Sequence, residues 1–287
     1  MLNLIVGFSE ANPMIRVTLM NGSRVNPNLK RDPFQDFDIA NFVTDVNPFR
    51  NEEYVLPHFG EALVVEQPPL GPWPAEDDDG SYYNYNIQLI DGNRIDVSFN
   101  PLNALDEAIK DSLTKVLLDK DNQVPLLAPS NESSYYLSEP NRNLYEGCCD
   151  GFFFTLGSHI PKTIWRRQMP LLKFYIEACL RDALLLMLGW EIGIKTGWEK
   201  SIGSRGKHLQ KFVDSETWVD YEKTFAGKDY EALWESLFQT LRIFVRSARL
   251  VADKFGYIFP EEQAKRIEEF LRHVRSLPAD ADQIYKD

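Results

Sequence analysis

Residues 21–45, NGSRVNPNLKRDPFQDFDIANFVTD, hold the side chains best suited to chemistry. Gly22-Ser23-Arg24 directly follow IRVTLM, a run of strand composition, and twelve residues separate Ser23 from Asp36-Phe37-Asp38 at the entry to the next apolar run. Strand residues alternate faces, so Asp36 and Asp38 share one side while Phe37 turns inward. Two carboxylates on one side can share a divalent cation. A third acid, Asp96, sits in NRIDVSF between Ile95 and Val97. If that strand lies beside the one after Asp38, three carboxylates converge, and their mutual repulsion asks for hard cations, that is magnesium. Gly22 lets backbone approach closely, the Ser23 hydroxyl and nearby amides suit phosphate oxygens, and Arg24 adds charge. The set fits a nucleoside triphosphate held by metal and backbone, with transfer at the α-phosphorus. Each piece alone has a plainer reading: Asp-x-Asp as a solvated strand end, Ser23 as a turn residue, Asp96 as a satisfied acid. Only the ordered set is specific. Asp96 either completes a metal shell or accepts the hydroxyl proton, and both roles need a carboxylate beside the same oxygen.

These residues need a sheet to position them. Strand composition marks 15–20, 39–44, 62–65, 82–90 and 94–99, the last two joined by Asp91-Gly92-Asn93, a hairpin signal. Gln67 to Ser81, dense in Pro, Gly and acids, reads as an exposed loop. Leu102 to Leu118 has helical spacing. Polar, irregular sequence around 131–145 puts a domain boundary near residue 130, giving domains 1–130 and 131–287. The second is helical, with helices expected from Leu171 to Thr196, from Tyr230 to Phe255 and, just after Pro260, from Glu261 to Ser276. The expected fold class is α+β: a mixed β-sheet domain with flanking helices, then an α-helical bundle.

Composition narrows the partners. The 287 residues carry 31 Lys and Arg against 43 Asp and Glu, a net charge of −12, which disfavours nucleic acid and suits a cationic small molecule. Three cysteines, two of them adjacent, do not make a disulfide scaffold, and Cys148 and Cys149 suggest no mechanism. No apolar run approaches the roughly 20 residues that span a bilayer, and the start MLNLIVGFSE lacks a basic n-region, so a cytoplasmic protein without a membrane partner is expected.

The run from Gly22-Ser23-Arg24 through QDFDIANFVTD resembles the signature of the nucleotidyltransferase superfamily, and in particular of the aminoglycoside 6-adenylyltransferases, or streptomycin adenylyltransferases. The likeness continues through RIDVSFNPL, LLDKD, YEGCCDGFFF, KTIWRRQMP and MLGWEIGIKTGW. The resemblance implies a nucleotidyltransferase domain followed by a helical substrate-binding domain that closes the cleft. It implies transfer of AMP from Mg-ATP to a streptomycin hydroxyl, with release of pyrophosphate and loss of the antibiotic's action. Asp36, Asp38 and Asp96 match the family's metal-binding and catalytic acids, and Gly22, Ser23 and Arg24 its triphosphate turn. Lys162, Arg166 and Lys207 are further candidates for the nucleotide phosphates. Glu177, Asp182 and Trp190 are candidates for the cationic antibiotic, although acids at both 177 and 182 depart from the family pattern. The alternatives are a nucleotidyltransferase acting on another small molecule or a protein, or a non-catalytic nucleotide-binding relative.

Overall fold

The computed structural model describes residues 1–68 and 81–285, so most of the expected 67–81 loop lies outside the described residues. The chain divides into two compact units, Met1–Ser134 and Tyr135–Asp287.

The first unit is one six-stranded sheet with short helices. Helix α1 (Leu2–Ala11) leads into β1 (Ile15–Asn21), and then come β2 (Phe37–Val43), β3 (Ala62–Glu66), β4 (Tyr83–Leu89), β5 (Arg94–Pro101) and β6 (Thr114–Asp119). The one-turn helices α2 (Glu52–Val55) and α3 (Leu105–Ala108) lie between strands. The spatial order is β3-β4-β5-β2-β1-β6, antiparallel throughout except for the parallel pair β2 and β5, which makes the sheet mixed. Alternation along β4 and β5 is strict: Tyr83, Tyr85, Ile87, Leu89, Ile95, Val97 and Phe99 are buried, with polar residues between them. They pack with Ile5 and Phe8 of α1, where Phe99 stacks on Phe49 at 4.2 Å. On the opposite face, Val17, Leu19, Phe42 and Leu105 form a small second core, leaving the end of that face nearest Asp38 polar. Lys120 anchors α1 by donating to the Ser9, Glu10 and Asn12 carbonyls at its C-terminus, where a cation also suits the helix dipole.

One expectation fails here. The Leu102–Leu118 segment is not a helix: helical structure ends at Ala108, and Thr114–Asp119 is the edge strand β6, pairing Asn21 with Thr114 and Leu19 with Val116. The Asp111 carboxylate, accepting from the Leu113 amide, turns the chain between them. The same apolar residues satisfy either period over so short a run, and the open edge of β1 decides for the strand.

The second unit is all helical: α4 (Arg142–Phe154), α5 (Ile160–Trp165), α6 (Met169–Phe174), α7 (Arg181–Thr196), α8 (Ser215–Glu222), α9 (Tyr230–Phe255) and α10 (Glu261–Ser276). Asn141, Asp214 and Asp229 cap α4, α8 and α9 with side-chain oxygens, and Gly197 and Gly256 end α7 and α9 in the left-handed conformation. Phe152 stacks on Phe244 at 3.7 Å in the core, and the Tyr145 hydroxyl donates to the Ala248 carbonyl. Buried Glu191 of α7 accepts from Ser247 of α9 at 2.5 Å, pinning the two helices together, and from Lys195 of its own helix at 2.6 Å. The helix expected from Leu171 to Thr196 is interrupted: a π-helical stretch, Tyr175–Leu180, separates α6 from α7, and a second one, Thr155–His159, joins α4 to α5. The His159 ring stacks on Tyr175 at 4.5 Å, linking the two. No helix among the described residues is long and apolar enough to cross a membrane.

Candidate active site

The parallel pairing of β2 with β5 sets Asp38 directly opposite Asp96, and Asp36 lies just before β2. Phe37 between the two acids is buried, as alternation requires. One carboxylate oxygen from each of Asp36, Asp38 and Asp96 lies within 4.8 Å of the others, and all three residues are partly exposed. Three carboxylates so close, at the open end of a strand face, form a donor set for a hard divalent cation such as magnesium.

The turn after β1 belongs to the same site. Gly22 has φ +72°, and a Cβ there would stand 2.1 Å from Asp38 Oδ2, so only glycine permits the turn to press against that carboxylate. Its amide donates to the Leu113 carbonyl, tying the turn to the start of β6. Ser23 follows in a short 3-10 turn, partly exposed. Arg24 is turned elsewhere than expected. Its guanidinium donates to the carbonyls of Asp36 and Gln35 at 2.9 and 2.6 Å and lies 3.6 Å over the Phe37 ring. Burial draws its proton affinity below the usual arginine value. In this arrangement Arg24 braces the loop that presents Asp36 and Asp38, a positioning role where a direct phosphate contact was expected.

A residue that the sequence reading passed over completes the cluster. Arg94 grips Asp96 through two parallel hydrogen bonds of 2.9 and 2.7 Å and comes within 3.8 Å of Asp36. The hydrogen bond to Asp96 raises its already high pKa. The signal was present, since Arg94 stands two residues before Asp96 on one strand and so on the same face.

The candidates in the helical unit have different surroundings. Lys162 and Arg166 are exposed on and just after α5, both lining a groove of 420 Å³ with Phe270 and Ile284, and Lys207 is exposed after a 3-10 turn. Glu177 accepts from Arg181 at 2.7 Å and Lys173 at 3.3 Å. Burial opposes its ionisation, but these cations prevail and hold its carboxyl below the ordinary range. Asp182 accepts at both oxygens from Arg205. Trp190 is a core side chain, 3% exposed, so the expectation of a ring offered to substrate gives way to a packing role. Cys148 and Cys149 are free thiols pushed by burial up to about 12 and about 11, which leaves them inert near neutrality.

Comparison with known proteins agrees with the signature in the sheet unit. The family model described as streptomycin adenylyltransferase matches residues 1–274. An aminoglycoside 6-adenylyltransferase of Campylobacter jejuni is 31% identical over 260 residues, 90% of this chain and 89% of that protein. One from Staphylococcus aureus is 30% identical, covering 95% of this chain and 96% of its own length. A crystal structure of an aminoglycoside 6-adenyltransferase from Bacillus subtilis aligns over 96% of this chain and 98% of that one, at 23% identity and a TM-score of 0.49. A match running through both units, at these identities, places the chain in the streptomycin adenylyltransferase family, whose members are adenylyl-transferring enzymes.

Proposed function

We propose that the protein transfers AMP from Mg-ATP to a hydroxyl of streptomycin and releases pyrophosphate, so that the antibiotic is inactivated. The observation that carries this reading is the meeting of Asp36, Asp38 and Asp96 within 4.8 Å, with the Gly22 turn pressed against Asp38. Magnesium held by the three carboxylates would supply charge neutralisation for the triphosphate and polarisation of the α-phosphate. The Ser23 backbone amide and hydroxyl bind the β- and γ-phosphates, with Gly22 setting the turn that presents them. Asp96, whose carboxylate Arg94 orients, either completes the metal shell or takes the hydroxyl proton. The attacking oxygen forms a bond to the α-phosphorus as the bond from that phosphorus to the bridging oxygen breaks, and pyrophosphate leaves with the electron pair. The acidic surface favours a cationic acceptor over a nucleic acid.

The test is incubation of the purified protein with ATP, magnesium and streptomycin, with a chelator control, and mass spectrometry of the antibiotic. A magnesium-dependent AMP adduct is the expected result. ATP binding without an adduct would turn the search to other acceptors, and failure of magnesium-dependent ATP binding would overturn the catalytic reading.

A further inference from the structure

The carboxylate cluster is part of a longer polar line. Asn21 pairs with Asp38, Asp38 with Asp96, Asp96 with Asn86, and Asn86 with Glu66, so five strands place one polar residue each in a single cross-strand row. Beside it, Ser98 pairs with Asn84 on the same face. Directly opposed residues of neighbouring strands lie within side-chain reach of one another, so the row is a continuous polar track across the sheet. It ends at the exposed Glu66, whose carboxylate accepts from Asn86 Nδ2 at 3.0 Å.

Above this track lies an open groove of 340 Å³, bounded by Asp38, Tyr82, Asn84, Asn86, Asp96 and Ser98. Among the described residues no basic side chain lines it, in contrast to the phosphate-binding chemistry of a glycine turn. Its walls offer three amides, from Asn21, Asn84 and Asn86, with a hydroxyl, a phenol and the carboxylate pair of Asp38 and Asp96, and Glu66 lies beyond Asn86 in the row. Asn84 Oδ1 is buried without a hydrogen-bond partner, an acceptor whose desolvation is uncompensated until a donor arrives. The position of the groove is also meaningful. The groove runs past the acids from Asn21 at the end of β1 to Asn84 and Asn86 of β4, and the Gly22 turn presses on Asp38 at the β1 end, so the β4 end of the groove lies across the acids from the turn. In-line displacement needs the attacking and leaving oxygens on opposite sides of the phosphorus. If pyrophosphate departs over the turn, the hydroxyl must arrive from the β4 end of the groove.

We propose that this groove is the acceptor subsite of the sheet unit, where Asn84 and Asn86 hydrogen-bond ring hydroxyls of a polyhydroxylated cation and Glu66 pairs with one of its guanidinium or ammonium groups. The inference rests on the aminoglycoside reading above and assigns residues that the sequence signature does not contain. A ring seated here places its hydroxyl beside Asp96, and Glu66 sets which cationic substituent fits.

The test measures streptomycin binding by calorimetry without nucleotide, and AMP transfer to it, for the wild-type protein and for Glu66→Gln, Asn84→Ala and Asn86→Ala. Loss of a charge-assisted hydrogen bond predicts that Glu66→Gln weakens streptomycin binding and raises its KM about tenfold. Asn84→Ala and Asn86→Ala raise the same KM by smaller factors, and in all three variants the KM for ATP and the thermal midpoint stay at wild-type values. Wild-type streptomycin KM in all three variants would overturn the subsite while leaving the activity intact, as would a rise in the KM for ATP alone. A wild-type protein that neither binds nor modifies streptomycin would overturn the subsite and the aminoglycoside reading together.

Discussion

The two units keep their charged residues in different ways. In the sheet, register brings Asp38, Asp96, Asn86 and Glu66 into one line from positions scattered over about sixty residues, and like charges end up side by side. In the helical unit both candidate acids have a cation close by, Arg181 and Lys173 on Glu177 and Arg205 on Asp182, as does the buried Glu191 with Lys195. Helical spacing supplies the pairs on Glu177 and Glu191 at i and i+4, while Arg205 reaches Asp182 from 23 residues along the chain. The sheet therefore gathers three carboxylates around Arg94, whereas in the helices Glu177 and Asp182 each have cations of their own.

Four substitutions can break or sharpen this contrast. The largest effect is expected for Asp38→Asn, which removes one carboxylate of the cluster and lowers adenylyl transfer by at least about a thousand-fold, with a thermal midpoint near wild type. Near-normal turnover would dissolve the distinction between the units. Next, Gly22→Ala forces a side chain into a left-handed turn and against Asp38, costing about 1–2 kcal/mol in unfolding experiments and lowering turnover as well. Glu191→Ala should do the reverse. It strands the buried Ser247 hydroxyl and costs about 1–3 kcal/mol of stability, while magnesium-dependent ATP binding in calorimetry is unchanged. The smallest effect is expected in the pH dependence. The Glu177 carboxyl is held below its ordinary range in the folded protein, so its contribution to stability is present above the usual glutamate pKa and lost as pH falls through the lower folded value. Thermal midpoints of Glu177→Gln followed from neutral to acid pH should converge on those of the wild type at the acid end. Parallel curves would show that the ion pair does not contribute.

The sheet half of the site was legible because its signals are local. Alternation around Phe37 put Asp36 and Asp38 on one side, and the Asp91-Gly92-Asn93 hairpin fixed β4 against β5. What was missed depended on partners far along the chain. Thr114–Asp119 is a strand because β1 has an open edge, a fact absent from its own spacing. Arg24 and Arg94 are both basic residues near acids, and only three-dimensional geometry shows that the first holds backbone while the second holds a carboxylate. Trp190 was a candidate on the same expected helix as Glu177 and Asp182, yet α7 packs against α4 and α9, which buries it. Helices α4 and α5 escaped notice since Gly147, Gly151 and Gly157 dilute an apolar period that Tyr145, Cys149, Phe152 and Leu156 otherwise show.

The π-helical stretch between α6 and α7 bears on how this chain tolerates change in length. Leu172, Ile176, Leu180 and Leu184 are all buried and recur every fourth residue, whereas an α-helix turns every 3.6, so a regular helix would carry them around its axis by about 40° per step. The wider turn of Tyr175–Leu180 takes up that drift and keeps both flanks facing the core. It behaves as a one-residue insertion already absorbed. Removing a single residue there would let the segment close into ordinary helix with Leu172 and Leu184 still inward, while the same deletion a few turns later, inside Arg181–Thr196, would swing every following core side chain by about 100° toward water.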